Sequence, residues 1–236
     1  MIRTIDHNRM GRSRLEWLDS HFHFSFAEYY NPENIHYGAL RVVNDDLIKA
    51  GTGFDEHPHK NMEIITYVVD GELTHADSMQ NRSTLHRGEV QYMSAGTGVA
   101  HSEHNWGSGP LRLLQIWILP DRDGYEPRYG DMRFIWNDRK NRWLHIVSGE
   151  EGGAPVKIHQ DMNLYVSALS EGQQLAYRLS PFRQAYLIQI EGSCEINGHT
   201  LHERDAAEIC GENLTITSNS DDAHILLFDM EADEED

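Results

Sequence analysis

Two short segments of the chain carry histidine and carboxylate side chains at a spacing that suits a metal site. His57 and His59 are separated by one residue, and so are His101 and Glu103. Side chains alternate between the two faces of an extended strand, so the two members of each pair point to the same face. Such a pair offers two ligands at a fixed separation. Both segments are therefore candidate metal-binding segments.

The elements that must position these side chains are β-strands. Runs rich in β-branched and aromatic residues end at clusters of Asn, Asp, Gly and Ser, as at Asp70-Gly71, and no long segment has a helical apolar period. Short strands at this spacing predict an all-β sandwich or barrel. The predicted strand runs occupy residues 39–43, 63–69, 111–118, 185–190, 214–217 and 224–228.

Length and composition bound the class of protein. The chain has 236 residues, of which 39% are hydrophobic and 25% charged, which predicts about two globular domains. No run approaches the roughly 20 apolar residues that span a bilayer, and no secretory signal is evident. The two cysteines, Cys194 and Cys210, form no CxxC pair or disulfide framework. These features predict a cytoplasmic protein without a membrane segment.

The balance of charge argues against nucleic acid as a partner. There are 20 basic and 38 acidic residues, a net charge of −18, and no basic stripe interrupts this excess. An acidic surface repels a phosphate backbone. Part of the charge lies in the acidic tail, residues 231–236, which we interpret as a solvated end.

A faint internal repeat suggests that the two domains share one β-fold. Residues 67–74 parallel residues 188–195 at an offset of 121, and residues 84–86 parallel residues 200–202 at an offset of 116. The two matches occur in the same order in both copies, which suits a duplicated domain.

The motifs that surround the candidate ligands resemble those of a known family. The Gly-flanked HxHxxxE segment and the later Gly-rich HxxxN segment are similar to the two cupin motifs. The fuller strings resemble the pirin family, and in particular its short bacterial branch, which includes quercetinases. The matching strings are HPHKNMEIITYVVDGELTHADSMQN, at residues 57–81, and SAGTGVAHSEHN, at residues 94–105.

This resemblance implies a bicupin, with two facing antiparallel β-barrels of the jelly-roll type. Residues 1–133 would form the metal-binding cupin domain and residues 134–236 a second cupin domain without metal ligands. The implied ligands are His57, His59, His101 and Glu103, whereas Glu63, the ligand of a generic cupin, would lie beside the metal rather than on it. At the offset positions of the second copy every ligand is replaced, which predicts one metal per chain.

Three histidines and a carboxylate suit a borderline divalent ion. The resemblance favours Fe(II), and Cu(II), Ni(II), Mn(II) and Zn(II) remain open. An octahedral ion would keep two open positions for substrate and O2, whereas a tetrahedral zinc would be saturated and structural. Unperturbed imidazoles would release the metal below about pH 6.

The resemblance implies a function and leaves an alternative open. The implied activity is a quercetinase that opens the flavonol ring with O2 and releases carbon monoxide, with Glu103 as both ligand and catalytic base. The alternative is a non-enzymatic metal or redox sensor that regulates a protein partner. The family resemblance favours a monomer in either case.

Three other features receive structural interpretations. His21 and His23 alternate with phenylalanines, and we predict a strand with the phenylalanines on its core face and the histidines on the other. Trp117 is assigned to packing. The polar segment of residues 120–127, which contains Pro and Gly, is the best candidate for a linker.

Overall fold

The computed structural model describes residues 1–232, and almost all of their regular structure is antiparallel β-strand. The two exceptions are short 3-10 helices, His7–Arg9 and Trp136–Arg139. The all-β prediction is confirmed. Residues 233–236 of the predicted acidic tail lie outside the described residues. None of the helices in residues 1–232 has the length and apolar character needed to cross a membrane.

The chain divides into two compact units. The N-terminal unit comprises residues 11–134 and 158–160, and the C-terminal unit comprises residues 1–10, 135–157 and 161–232. Residues 1–10 go with the C-terminal unit because their strand, Ile2–Ile5, pairs with Ala206–Cys210. The predicted domains, residues 1–133 and 134–236, place residues 1–10 and 158–160 in the other unit. Pairing between strands some 200 residues apart leaves no local signal in the sequence.

The N-terminal unit contains two antiparallel sheets. Numbering all strands in chain order, with Ile2–Ile5 as β1, its strands are β2 (Gly11–Arg14), β3 (Leu18–Phe22), β4 (Leu40–Ile48), β5 (Thr52–His59), β6 (Glu63–Asp70), β7 (Glu72–Asp77), β8 (Arg82–His86), β9 (Val90–Ser94), β10 (Val99–Asn105), β11 (Leu111–Ile118) and β12 (Arg128–Met132). One sheet has the order β12-β9-β6-β11-β4-β3-β2, and the other has the order β5-β10-β7-β8.

The C-terminal unit repeats this plan. Beside β1, its strands are β13 (Leu144–Gly149), β14 (Val156–Ile158), β15 (Met162–Leu169), β16 (Gln174–Tyr177), β17 (Arg183–Glu191), β18 (Cys194–Ile196), β19 (His199–Leu201), β20 (Ala206–Cys210), β21 (Leu214–Ser218) and β22 (Ala223–Glu231). Its sheets have the orders β1-β20-β17-β22-β15-β13-β14 and β16-β21-β18-β19. The order β20-β17-β22-β15 corresponds to β9-β6-β11-β4, so the faint sequence repeat reflects a duplicated topology.

Strand β4 carries buried polar residues on both of its faces. Its side chains alternate, so that Asn44 and Asp46 share one face and Asp45 lies on the other. Asp45 forms a buried bidentate ion pair with Arg112 of β11, at 2.9 and 2.7 Å. Both faces of this central strand are thus buried, which its polar residues alone would not suggest.

The predicted linker is wrong, because residues 120–127 belong to the N-terminal unit. Tyr125 stacks on His159 with ring centroids 3.6 Å apart, and its carbonyl accepts a hydrogen bond from the amide of Thr97. The amide of Gly124 donates to the side chain of Asn61. These contacts hold a polar segment that, in sequence, is typical of a connection between domains.

Candidate metal centre

Three histidine rings meet where β5 and β10 pair. The antiparallel register places His101 opposite His57, and His59 lies two residues further along the same face of β5. The ring centroids are separated by 4.6 to 4.9 Å, and the three side chains offer nitrogens within 4.8 Å of one another. Because imidazole is the commonest metal ligand among side chains, this group can hold a divalent cation.

A close backbone contact supports this part of the sheet. The pairing of β10 with β5 shifts between His101 and Glu103, so that Glu103 lies opposite Phe54. A Cβ atom on Gly53 would lie 2.3 Å from the Glu103 carbonyl oxygen and 2.5 Å from the His104 Cα. Glycine is therefore required at position 53 for the two strands to approach.

The backbone neighbour of His57 selects the tautomer of its imidazole ring. Its Nδ1 lies 2.8 Å from the carbonyl oxygen of Asp55. A carbonyl can only accept, so Nδ1 carries the proton and Nε2 keeps its lone pair for a ligand. Orientation of a ligating histidine by such a bond is common in metal sites.

Burial keeps the other two rings neutral. Burial, with a smaller contribution from neighbouring imidazoles, lowers the pKa of His59 to about 4 and that of His101 to about 3. Neutral imidazole is the form that binds a metal. The Nδ1 atom of His101 is buried and has no hydrogen-bond partner within residues 1–232. Three crowded imidazoles, two of them held neutral by burial, fit a cation.

Glu103 lies next to this group with its carboxylate already hydrogen-bonded. Thr66 donates to Oε1 at 2.8 Å, the Gln91 amide donates to Oε1 at 3.1 Å, and the Gln115 amide donates to Oε2 at 2.6 Å. The charge of Glu103 raises the pKa of His59 against the larger effect of burial. The mutually close ligand atoms belong to the three histidines, and the ligand and base roles of Glu103 stay predictions.

A cavity of about 600 Å³ opens onto the histidines. His57, His59 and Glu103 line it, and the aromatic side chains of its walls come from strands and loops far apart in sequence. Trp117 is one of them: its ring packs edge-on against His59 at 4.9 Å, so its assignment to packing alone was incomplete. The other aromatic wall residues are Trp17, Phe22, Phe26 and Phe54.

Other polar residues singled out in the sequence have structural surroundings. Glu63 accepts from Ser94 at 2.6 Å and lies 3.1 Å from His159 Nδ1, apart from the histidine group. The amide of Asn105 donates to two carbonyl oxygens. His23 is as buried as the phenylalanines beside it, and burial lowers its pKa to about 4. The prediction that only the phenylalanines face a core is therefore wrong, because both faces of this segment are covered.

Another group of ligand-type atoms, from Asp6, His7 and Asp205, lies in the C-terminal unit. Its atoms already bond to one another and to the backbone: Asp6 caps the amide of Asn8, and Asp205 lies 2.9 Å from His7 Nδ1. Exposure of Asp6 and these bonds fit a turn rather than a metal site.

Comparison with known proteins agrees with the fold. The pirin family model matches residues 5–118, and the quercetinase C-terminal cupin domain model matches residues 139–230. Quercetin 2,3-dioxygenase of Escherichia coli K12 is 42% identical to this chain, in an alignment that covers 98% of this chain and 99% of that protein. A pirin-like protein of Caulobacter vibrioides is 40% identical over 97% of this chain and 99% of its own.

Solved structures are equally similar. The crystal structure of YhhW from Escherichia coli superposes on this chain with a TM-score of 0.92. The two sequences are 41% identical, and the superposition covers 100% of each chain. The same bacterial pirin in complex with nickel(II) also has a TM-score of 0.92, with 99% of this chain and 100% of that chain covered. Two duplicated antiparallel units with a histidine group in the first define a protein of two cupin domains. The chain belongs to the pirin family.

Proposed function

We propose that this chain is a metal-dependent dioxygenase of the quercetinase type, which opens the flavonol ring of quercetin with O2 and releases carbon monoxide. The observation that carries the proposal is the group of His57, His59 and His101 at a cavity with aromatic walls. Flat aromatic walls suit a flat aromatic substrate. Relatives at 42% identity that bear the name quercetin 2,3-dioxygenase support it.

The three histidines would hold one divalent metal, and we propose Glu103 as the fourth ligand. When bound, the metal would act as a Lewis acid on the flavonol hydroxyl and provide a route for electrons to O2. Fe(II) is our proposed ion, and Ni(II), the ion named for the YhhW complex, is the first to compare with it. The Nδ1–H group of His57 would donate its hydrogen bond to the carbonyl oxygen of Asp55, so that Nε2 would bind the metal.

We assign to Glu103 the role of the base that accepts the proton of the flavonol hydroxyl. It is a buried carboxylate in the cavity wall, and its charge acts on His59. Thr66, Gln91 and Gln115 hold both its oxygens, so the carboxylate is oriented before substrate enters. A base that is already oriented loses little entropy on reaction.

The test is an oxygen-dependent assay of protein stripped of metal and reloaded with Fe(II), Ni(II), Cu(II), Mn(II) or Zn(II). We expect loss of flavonol absorbance and release of carbon monoxide in a metal-dependent reaction. His57→Ala, which removes a proposed ligand, should be inactive. Glu103→Gln should retain metal yet lose at least about 100-fold in kcat, the usual contribution of a general base.

Two results would contradict the proposal in different ways. Absence of turnover with every ion, at full metal occupancy, would remove the quercetinase activity and leave a sensor of the metal or of its redox state. Full activity of Glu103→Gln would remove only the assignment of the base.

A further inference from the structure

We propose that Ser20, Asn44 and Asp46 form a substrate-binding site that recognises a ring hydroxyl of a planar phenolic molecule inside the cavity. The inference rests on the proposed function for the identity of the molecule. It goes beyond that function because it names the residues that would distinguish a polyhydroxylated ring from a bare one. We call these three residues the hydroxyl site.

The hydroxyl site is built by strand register. Asn44 and Asp46 lie two residues apart on β4 and therefore share a face. Ser20 of β3 pairs with Asp46, and Gln115 of β11 pairs with Asn44. All four side chains line the cavity that reaches His57 and His59, so the hydroxyl site and the histidines are parts of one cavity.

Its polar atoms are buried without a full set of partners. Asn44 is 4% exposed and Asp46 is 2% exposed. The Oδ1 atom of Asn44 has no hydrogen-bond partner within residues 1–232, whereas Asp46 accepts a bond from the Ser20 hydroxyl. Buried polar groups are nearly always hydrogen-bonded, so the unpaired amide oxygen of this cavity-lining residue requires an explanation. A ligand that donates a hydrogen bond supplies one.

The remaining cavity walls define the shape of that ligand. Phe22, Phe26 and Trp117 pack on one another, with ring centroids 5.3 Å apart for the phenylalanines and 5.5 Å for Phe26 and Trp117. Aromatic walls bind a flat ring through its faces and edges, and the acceptors Asn44 and Asp46 would bind its hydroxyls. Burial raises the pKa of Asp46 to about 7, which agrees with a carboxyl that is held away from water.

The experiment measures binding rather than turnover. Metal-loaded protein is titrated without oxygen, and quenching of tryptophan fluorescence reports the Kd for two probes, quercetin and 3-hydroxyflavone, which has the same ring system without the other hydroxyls. We expect wild type to bind quercetin about tenfold more tightly, the effect of one or two hydrogen bonds. Asp46→Asn and Asn44→Ala should reduce this ratio to within about threefold and change the affinity for 3-hydroxyflavone by less than about twofold.

The matched control is Asp19→Asn. Asp19 neighbours Ser20 on β3 but points away from the cavity and pairs with Arg12. This variant should keep the wild-type ratio. Ser20→Ala, which is the mildest change of the three residues, keeps the test available if either β4 variant fails to fold. It should lower the ratio by about threefold.

The outcomes separate this inference from the proposed function. Equal binding of both probes by wild type, or equal weakening of both probes in the variants, would overturn the hydroxyl site. If the ratio behaves as expected but quercetin is not consumed when oxygen is admitted, the hydroxyl site stands and the quercetinase proposal fails.

Discussion

Replacement of Asp46 by asparagine should stabilise the metal-free protein at alkaline pH. Asp46 is buried, and burial raises its pKa from 3.8 to about 7, with smaller contributions from the charges of Asp45 and Glu103. Between these two pH values the folded protein holds a proton that the unfolded chain has released. Stability from this group is therefore complete below about pH 4 and falls as the pH rises through 7.

The size of the pKa shift of Asp46 sets the expected change in the free energy of unfolding. A change of about three pKa units corresponds to about 4 kcal/mol, at 1.36 kcal/mol for each unit, and this is the ceiling at pH 8. Asparagine keeps the size of the side chain and an oxygen that can accept from Ser20, but it carries no charge. We expect Asp46→Asn to be more stable than wild type by about 1 to 4 kcal/mol at pH 8 and nearly equal at pH 4.

The assay is urea unfolding of metal-free wild type and variant at several pH values between 4 and 8. Subtraction of the two curves removes the titrations that both proteins share, including those of the buried histidines. Asp19→Asn is a control of opposite sign, since hydrogen bonds from Arg12 lower the pKa of Asp19, and its replacement should cost stability at pH 8. A difference between wild type and Asp46→Asn that does not change with pH would refute the reasoning.

Three further predictions concern the metal site. His57→Ala should lower bound metal from one to below about 0.1 equivalent after dialysis, measured by elemental analysis, because it removes one of four proposed ligands and leaves two histidines and Glu103. One full equivalent would contradict the ligand assignment. Wild type should keep its metal down to about pH 5, whereas unperturbed imidazoles would release it below about pH 6. The reason is that the pKa values of His59 and His101 are lowered to about 4 and 3. Complete loss of metal at about pH 6 in a dialysis series would argue against this. Gly53→Ala should destabilise the protein by about 2 kcal/mol or more in urea unfolding, since its Cβ would overlap the Glu103 carbonyl oxygen, and unchanged stability would contradict the close approach.

The folded environment also explains which sequence interpretations failed. Residues 120–127 have the composition of a linker, but the ring of Tyr125 stacks on His159, more than 30 residues away, and holds the segment in the N-terminal unit. The histidines at 21 and 23 alternate with phenylalanines as in a half-exposed strand, yet both faces are covered. Burial of the second face depends on other parts of the chain and leaves no periodic signal.

The sequence by itself determined the class of fold and the candidate ligands. Alternation along a strand is a local property, so the spacing of His57 and His59, and of His101 and Glu103, was sufficient to predict which side chains share a face. The repeat of short motifs likewise indicated two similar units, and the strand orders agree with it. Both inferences use only the order of residues within short segments and need no knowledge of which segments come into contact.

Only the tertiary structure decided what surrounds those ligands. Thr66, Gln91 and Gln115 come from three different strands and meet only at the carboxylate of Glu103. Trp117 reaches His59 only because the sheet that contains β11 packs near the strand that contains His59. In the same way, Asp46 becomes a buried carboxyl with a raised pKa only when β3, β4 and β11 close around it. Such contacts join residues far apart in sequence, and their distances and burial do not follow from any local pattern.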